Sequence, residues 1–434
     1  MTKIGIVICN YNKENDVLLC IQSVLESKYE DYHIYVVDNA SKDNSVKLIK
    51  EKYGKEEKLT LIENQENLGG SGGFNTGLRR ALKEDYEYLM CVDNDAMLDE
   101  NCIGNLAQFL DQNKDTGIAA AKIYHTGQEE YVQQYGSFID YKNYCVDSTY
   151  LNHLEDGSMP QVVYSDAVPA CALMIRTSLV KKIGVMPEEN FLYWDDTEWC
   201  MRCKEAGYKV ASVGAAAACH AMGAKKEDVN TFPTYYAWRN WIVFFLNHIP
   251  KEQIDDMAEV FLGSIFEIAY MGLYRNEPNK TKTVMAAMDD ALHGTMGKAG
   301  DDRIFDLEFT YDGLEKVIAN KRKVQIEINE YPLFAEALEE KIKKINPDIY
   351  VERVEKAGEN TGETSVISLC ENIFRQDDLS LSRYIMDLDR NVLITEDDAL
   401  MVINYPFSRR SFIFAQKPLF VRLAKELKND LTQI

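Results

Sequence analysis

Within the first hundred residues, short runs rich in Val, Ile and Leu alternate with amphipathic stretches, and no other feature of the chain narrows its fold as much. The strand-like runs are Ile4 to Cys9, Ile34 to Val37, Leu59 to Ile62 and Leu89 to Val92. Between them lie the helical patterns Val17 to Leu25, Val46 to Tyr53 and Gly73 to Leu82. Near-continuous apolar strands are buried on both faces, which calls for a parallel sheet covered by right-handed crossover helices. Ligands of such sheets bind beyond the carboxyl ends of the strands. The polar residues gather at those ends: Asn10-Tyr11-Asn12 after the first strand, Asp38-Asn39 after the second, Asn64 to Gly73 after the third, and Asp93-Asn94-Asp95 after the fourth. The pattern predicts an α/β domain with one functional sheet edge.

Further along, Tyr124 to Tyr164 is polar and Tyr-rich and reads as an insertion lying over the sheet, before Val168 to Ile175 resumes an apolar run. Thr234 to Asn247 is rich in Tyr and Trp, and two long helical patterns follow, Gln253 to Leu273 and Lys280 to Met296. After Asp301 a strand-helix-strand pattern (Val324 to Ile328, Pro332 to Ile345, Ile349 to Val354), a Gly-containing turn near Gly358 to Gly362 and a last helix from Pro418 to Leu431 predict a smaller α/β unit. The expected domains are 1–232, a helical segment 233–300, and an accessory unit 301–434.

Composition removes several classes of function. Lys and Arg total 48 against 70 for Asp and Glu, a net charge of −22 that repels polyanions, so nucleic acid is not an expected partner. The opening Met1-Thr2-Lys3-Ile4-Gly5-Ile6 shows no basic n-region or apolar h-region, so no secretion signal is read. The ten cysteines sit mostly in apolar patterns, as free thiols in a reducing cytoplasm do. Cys200 and Cys203 form a C-x-x-C near Cys219-His220, but an amphipathic helical pattern already explains the pair, so zinc is not expected. The apolar stretches Trp241 to Leu246 and Val260 to Leu273 fall short of the roughly 20 residues of a membrane span.

Three segments carry chemistry. Asp93-Asn94-Asp95 follows a buried strand and delivers carboxylates at i and i+2 into a turn, where a hard divalent cation, Mg²⁺ or Mn²⁺, takes carboxylate oxygens and leaves positions for phosphates. Taken alone, that tripeptide is more often a simple turn. Asn67-Leu68-Gly69-Gly70-Ser71-Gly72-Gly73 opens a helix and reads as a loop whose amides approach an anion. Neither the dinucleotide fingerprint nor the P-loop register fits it, which disfavours a dehydrogenase or an ATPase. Trp194-Asp195-Asp196-Thr197-Glu198-Trp199 places acids in a helix first turn, where Asp195 and Glu198 serve equally well as caps. Asp196, between two tryptophans, is expected to be desolvated and basic enough for general-base work.

These segments together resemble the family 2 glycosyltransferases of the inverting GT-A fold, over about residues 3 to 250. Ile6 to Asn12, Ser23-Val24-Leu25 and Val36 to Asp43 look like that family's nucleotide-binding start. The resemblance makes Asn10, Asn12, Asp38, Asn67, Gly69, Gly70, Gly72, Gly73 and Asn94 donor-binding, with Asp38 at the base or ribose. Asp93 and Asp95 take the place of the family's metal-binding acids. His220, in Cys219-His220-Ala221-Met222-Gly223, falls where many members put a third ligand. Val168 to Arg176 resembles the floor of the acceptor site, which implies acceptor or sugar contacts at Ala170, Trp194 and Asp195. Asp195-Asp196 matches the catalytic pair, usually Glu-Asp, and makes Asp196 the base. Tyr235-Tyr236-Ala237-Trp238-Arg239-Asn240 resembles an arginine-asparagine helix of bacterial members that build cell-surface polysaccharides. The glycine segment with Trp194-Asp195-Asp196 is most like galactofuranosyltransferases, with rhamnosyltransferases next.

The expected reaction is a single in-line displacement from a nucleotide-sugar, UDP-galactofuranose or dTDP-rhamnose, to a hydroxyl of a saccharide or lipid-linked glycan. A nucleotidyltransferase is the nearest rival, but it wants a basic Gly-rich loop after the first strand, where this chain has Asn10-Tyr11-Asn12-Lys13. A non-catalytic sugar-binding protein is the other alternative, and it would not need the acids. A cytoplasmic location at the inner membrane face is expected. Trp238, Trp241, Phe244 and Phe245, at helical spacing, are read as core or homo-oligomer contacts before peripheral membrane contacts.

Overall fold

A computed structural model describes residues 3–221, 229–377 and 379–431. Met1, Thr2, and the Met222-Gly223 end of the His220 segment lie outside the described residues. The chain divides into two compact units, Met1–Met257 with Ala286–Ile304 and Leu423–Ile434, and Ala258–Met285 with Phe305–Arg422.

The first unit begins β1 (Ile4–Asn10), α1 (Asp16–Leu25), β2 (Tyr32–Asp38), α2 (Ser45–Tyr53), β3 (Leu59–Glu63), α3 (Gly69–Ala81) and β4 (Tyr88–Asp93). It continues with β5 (Ala96–Leu98), α4 (Cys102–Gln112), β6 (Thr116–His125), β7 (Gln128–Gln134), β8 (Ser137–Asp140), β9 (Cys145–Ser148), β10 (Val162–Ser165) and β11 (Ala172–Arg176). After these come α5 (Thr177–Ile183), α6 (Asp195–Glu205), β12 (Lys209–His220) and α7 (Phe232–His248). The strand order is β10-β12-β6-β11-β4-β1-β2-β3, with β5 on β12 and β7 on β6. Strands β1 to β4 pair in parallel, while β11 runs antiparallel between β4 and β6. This is the α/β, mostly parallel sheet that the sequence pattern predicts.

Period-two alternation in β1 splits the core between the two faces of the sheet. Ile4, Ile6 and Ile8 pack with Val17, Ile21 and Val24 of α1 and Ile103 and Leu106 of α4. On the other face Val7 packs with Phe74 and Leu78 of α3, Leu179 of α5 and Trp199 and Cys203 of α6. Truncating one such fully buried residue, as in Ile6→Ala, costs about 2–5 kcal/mol. The polar segment 124–164 does not simply lie over the sheet: β7 and β10 extend it and only β8 and β9 form a separate two-stranded ribbon. Strand β7 is exposed over its first four residues and polar at all but Tyr131 and Val132, which hides it among loops in the sequence.

The remaining elements are α8 (Ile254–Arg275), α9 (Asn279–Leu292), α10 (Gly313–Ile318), β13 (Lys323–Glu327), α11 (Pro332–Ile345), β14 (Tyr350–Val354), β15 (Thr364–Cys370), β16 (Tyr384–Asp387), β17 (Val392–Leu393) and α12 (Glu396–Leu431). The second unit's sheet runs β14-β13-β15-β16-β17, parallel except for β17. The final helix starts at Glu396 rather than Pro418 and holds Pro406 and Pro418 within it. A proline forfeits one backbone bond and clashes with the preceding turn, a cost that burial of Val402, Tyr405, Ile413 and Phe420 along the helix offsets. Residues Lys251–Arg275 form a helix long and apolar enough to cross a membrane by length and composition, longer than the sequence pattern indicated. Half of its most apolar window is nonetheless buried within the protein, among it Phe261, Leu262 and Ile265, the pattern of a core helix.

Candidate functional site

In the first sheet β1 leads to β2 on one side and β4 leads away on the other, so the switch point lies between the carboxyl ends of β1 and β4. Asp93 ends β4. Asp95 sits in the turn before β5, and β5 pairs antiparallel with the end of β12, His220 opposite Ala96. That pairing brings two segments far apart in sequence to one point. His220 Nε2 lies 3.1 Å from Asp95 Oδ1 and 3.5 Å from Asp93 Oδ2. The ligand atoms of all three lie within 4.8 Å of one another. Gln133 Oε1 on β7 stands 2.8 Å from His220 Nδ1, and the same amide donates to the His220 carbonyl, so the ring is held with Nε2 toward the acids.

The electrostatics of the three differ. Burial pushes the Asp93 carboxyl up to about 6, opposed by His220 and reinforced by Asp95 and Asp195. Burial also acts on Asp95, but hydrogen bonds from His220 and Lys13 and their charges win and hold it at about 2. For His220 burial is outweighed by Asp95 and Asp93, and its pKa is raised. Two carboxylates and one imidazole nitrogen, with the other ring nitrogen anchored, are the donor set of a hard or borderline divalent cation. The residues therefore fit Mg²⁺ or Mn²⁺. No cysteine joins this group among the described residues: Cys200 Sγ faces the Val168 carbonyl and Cys203 Sγ the Lys209 carbonyl.

Beside this group, Asn94 Nδ2 donates to Asn10 Oδ1 (2.9 Å) and Asn10 Nδ2 to Asp38 Oδ1 (3.0 Å). The other Asp38 oxygen accepts the Ser41 amide, so both oxygens of this buried carboxylate fix the turn after β2. Asn12, with left-handed φ of 52°, is exposed, and its Oδ1 accepts the Lys42 amide. Asn67 Oδ1 accepts the Gly69 amide at the start of α3.

The glycine segment is not a loop. Helix α3 begins at Gly69, and its glycines answer to close packing. A Cβ on Gly69 would stand 2.0 Å from the Phe191 carbonyl oxygen, on Gly73 2.3 Å from Cys9 Sγ, and on Gly77 2.3 Å from Val7. Gly70 differs, since a Cβ there meets only ordinary contact with Leu192. Helix propensity predicts a loop here because each glycine costs about 1 kcal/mol relative to Ala. Contact with β1 and the Phe191 loop overrides it.

Asp195 and Asp196 open α6. Ser71 donates to Asp195 Oδ2 (2.8 Å), tying the pair to α3. The Ala170 amide donates to Asp196 Oδ2 (3.2 Å) and the Thr197 amide to its Oδ1 (2.7 Å). Burial first, then the Asp195 charge, pushes the Asp196 carboxyl up to about 7. The tryptophans act elsewhere: Trp194 stacks on Phe244 with centroids 5.1 Å apart, and Trp199 is fully buried, donating to the Gly184 carbonyl. Glu198 is paired with His248 at 2.7 Å, away from the acid pair's hydrogen bonds.

The loop that delivers the pair is strained. Phe191, Tyr193 and Trp194 all have φ of 64°, a left-handed conformation that costs a bulky residue about 1–3 kcal/mol. Buried Arg239 and Asn240 of α7 hold it. Arg239 Nη2 donates to the Asn190 carbonyl (2.8 Å), and Asn240 Nδ2 donates to the carbonyls of Asn190, Leu192 and Tyr193 (2.9, 2.7 and 3.1 Å). Phe244 and Phe245 on the same helix are buried, while Trp238 and Trp241 of the aromatic stripe are half-buried. Ser71, Gln133 and the clamp formed by Arg239 and Asn240 had no role assigned from sequence. The Arg-Asn pair alone carried a signal, in its resemblance to a family helix.

Residues 5–181 match the model described as Glycosyl transferase family 2. The dTDP-rhamnosyl transferase RfbF of Shigella flexneri is 25% identical over 300 residues, 67% of this chain and 96% of that protein. Galactofuranosyltransferase GlfT2 of Mycolicibacterium smegmatis is 24% identical over 287 residues, 62% of this chain, but only 41% of that protein's length is spanned. Among solved structures, TarS of S. aureus matches with a TM-score of 0.45 and 17% identity, covering 67% of this chain and 49% of that one.

Proposed function

From the premise that the chain carries a glycosyl transferase family 2 domain at residues 5–181 and is a glycosyltransferase, we propose that it moves a sugar from a nucleotide-sugar to a hydroxyl of a saccharide or lipid-linked glycan, with inversion. The observation that carries this reading is the meeting of Asp93, Asp95 and His220 on the sheet edge that also holds Asp196. Asp93, Asp95 and His220 would hold a divalent cation, Mg²⁺ or Mn²⁺. That cation would neutralise charge developing on the departing nucleoside diphosphate. Asp196 takes the proton of the acceptor hydroxyl. Its pKa of about 7 suits a base that must be ionised near neutrality yet strong enough to accept a proton. The Ala170 and Thr197 amides fix both carboxylate oxygens in place, and Ser71 holds Asp195 apart from that task. Asn10, Asn12, Asp38, Asn67, Asn94 and Gly70 are proposed to border the donor, and Trp194, Asp195 and Ala170 the acceptor.

The donor is proposed to be dTDP-rhamnose or UDP-galactofuranose, in keeping with the names of the two relatives, and the place of action the cytoplasmic face of the cell membrane. Asp196→Asn is expected to lower transfer by about 10²- to 10⁴-fold while circular dichroism and donor binding stay unchanged. A near-normal rate in that folded variant would remove Asp196 from the mechanism. A screen of both donors against saccharide acceptors, following released nucleoside diphosphate, identifies the sugar.

A further inference from the structure

The second unit repeats the topology of the first sheet's switch point with different chemistry. In the order β14-β13-β15-β16, β13 leads through α11 to β14 on one side, and β15 leads to β16 on the other. The switch point of this parallel sheet therefore lies beyond the carboxyl ends of β13 and β15, where open α/β sheets bind their ligands. A cavity of about 530 Å³ opens at that place. This is the size of a small-molecule cleft, and the coincidence of topology and cavity is not required by packing.

Its walls are Asn329, Glu330 and Tyr331 after β13 and Glu371, Asn372 and Arg375 after β15. Asn329, with left-handed φ of 44°, turns the chain sharply and bridges the strands by donating to the Leu369 carbonyl at 2.6 Å. Among the described residues Glu330, Glu371 and Arg375 have no ion pair, although Glu327 just before them is fully engaged by Ser368, Arg383 and the Ala357 amide. Phosphate does not suit the cleft. No glycine stands between β13 and α11, where a backbone would have to approach a pyrophosphate, and two carboxylates border the space. What the walls do offer is planar carboxylate, amide and guanidinium groups around one aromatic ring. A carboxylate can accept from two neighbouring hydroxyls, a guanidinium can donate to two, and an amide can donate to one and accept from the next, while the Tyr331 ring supplies an apolar face.

We infer that this cleft is a second, non-catalytic binding site for a neutral saccharide. Only the identity of its occupant, the glycan that the enzyme extends, rests on the proposed transfer reaction; the binding itself does not. The test is saturation-transfer NMR on the full chain with galactose, rhamnose and N-acetylglucosamine and their β-linked tetramers as probes. Glu371→Ala and Arg375→Ala, both at exposed side chains, are expected to weaken saccharide binding at least about tenfold, the loss of one hydrogen bond to a charged group. Binding of UDP with Mn²⁺ should be unchanged in both. Asp95→Ala should show the converse. Unchanged saccharide binding in both cleft variants, or no binding of any probe by the wild-type chain, overturns the inference. So does binding of UDP or inorganic phosphate that Arg375→Ala abolishes, because it would make the cleft an anion site. The proposed reaction fails on a different result, a normal rate in Asp196→Asn, so the two are separable.

Discussion

Two mostly parallel sheets in this chain share one topological device and furnish it differently. Beyond β4 the first sheet presents acids crowded against one another, Asp93 pushed up to about 6 and Asp95 held at about 2 by His220 and Lys13. Beyond β13 and β15 the second presents exposed Glu330, Glu371 and Arg375, which no described residue ion-pairs, and the buried Glu327 and Asp387 there are satisfied by their own neighbours. Crowded, perturbed carboxylates mark chemistry, because an enzyme needs pKa values moved to its task. Polar walls around an open cleft mark recognition. Topology thus says where a ligand sits, and side-chain electrostatics say what happens to it.

The comparison is broken most directly by removing an acid from each switch point. Asp95→Ala, or EDTA, is expected to lower nucleotide-sugar turnover about 10²-fold or more, since a metal at a leaving group is worth several kcal/mol. Glu371→Ala should leave hydrolysis of the donor within about twofold, as for a surface substitution. Equal losses in both would mean that the two sites are not distinct in kind. A smaller effect is expected at the clamp. Asn240→Ala removes a donor from the carbonyls of Asn190, Leu192 and Tyr193, of which Arg239 still holds the first, and loosens the loop before Asp195, so kcat should fall about 10- to 100-fold with donor KM unchanged, the signature of an interaction made in the transition state. Donor KM rising instead, at constant kcat, would assign Asn240 to ground-state binding.

Gly73→Ala probes the packing that replaces the anticipated loop. With Cys9 Sγ 2.3 Å from the new methyl, a loss of about 1–3 kcal/mol in urea unfolding is expected, against no measurable change for Glu330→Gln at the second switch point. The smallest effect is in pH. Asp196 acts as base only when ionised, and burial and Asp195 raise its pKa to about 7, so kcat/KM should rise with pH through about 7 and be lost below it. Asp195→Asn removes the neighbouring charge and should move that limb downward. A limb that stays put would mean burial alone sets it.

Much of the site was legible because strand ends announce themselves: an apolar run closing on Asp93-Asn94-Asp95, or on Asn10 beside Asp38, needs no tertiary knowledge. The Gly69 to Gly73 segment misled because glycine's helix cost is local, while its benefit, close approach to Cys9, Val7 and the Phe191 carbonyl, comes from partners remote in sequence. The final helix misled in the same way, Pro418 reading as its start where buried contacts carry the helix on from Glu396 through both Pro406 and Pro418. Asp196 is desolvated, as its place in the sequence suggested, while Trp194 packs on Phe244 and Trp199 lies in the core.

By itself the sequence determined the α/β alternation, the polar sheet edge and the acidic turns, because periodicity and strand-end chemistry act over a few residues. The family resemblance had set His220 beside Asp93 and Asp95, but its cause lies in the tertiary structure, where a pairing of β5 with β12 across more than a hundred residues brings it there. It alone joined Ser71 to Asp195 and set Arg239 and Asn240 beneath a strained loop. It also opened a cleft where β13 and β15 diverge. Each of these depends on which distant surfaces come into contact, and that is fixed by the packing of whole elements rather than by any local preference.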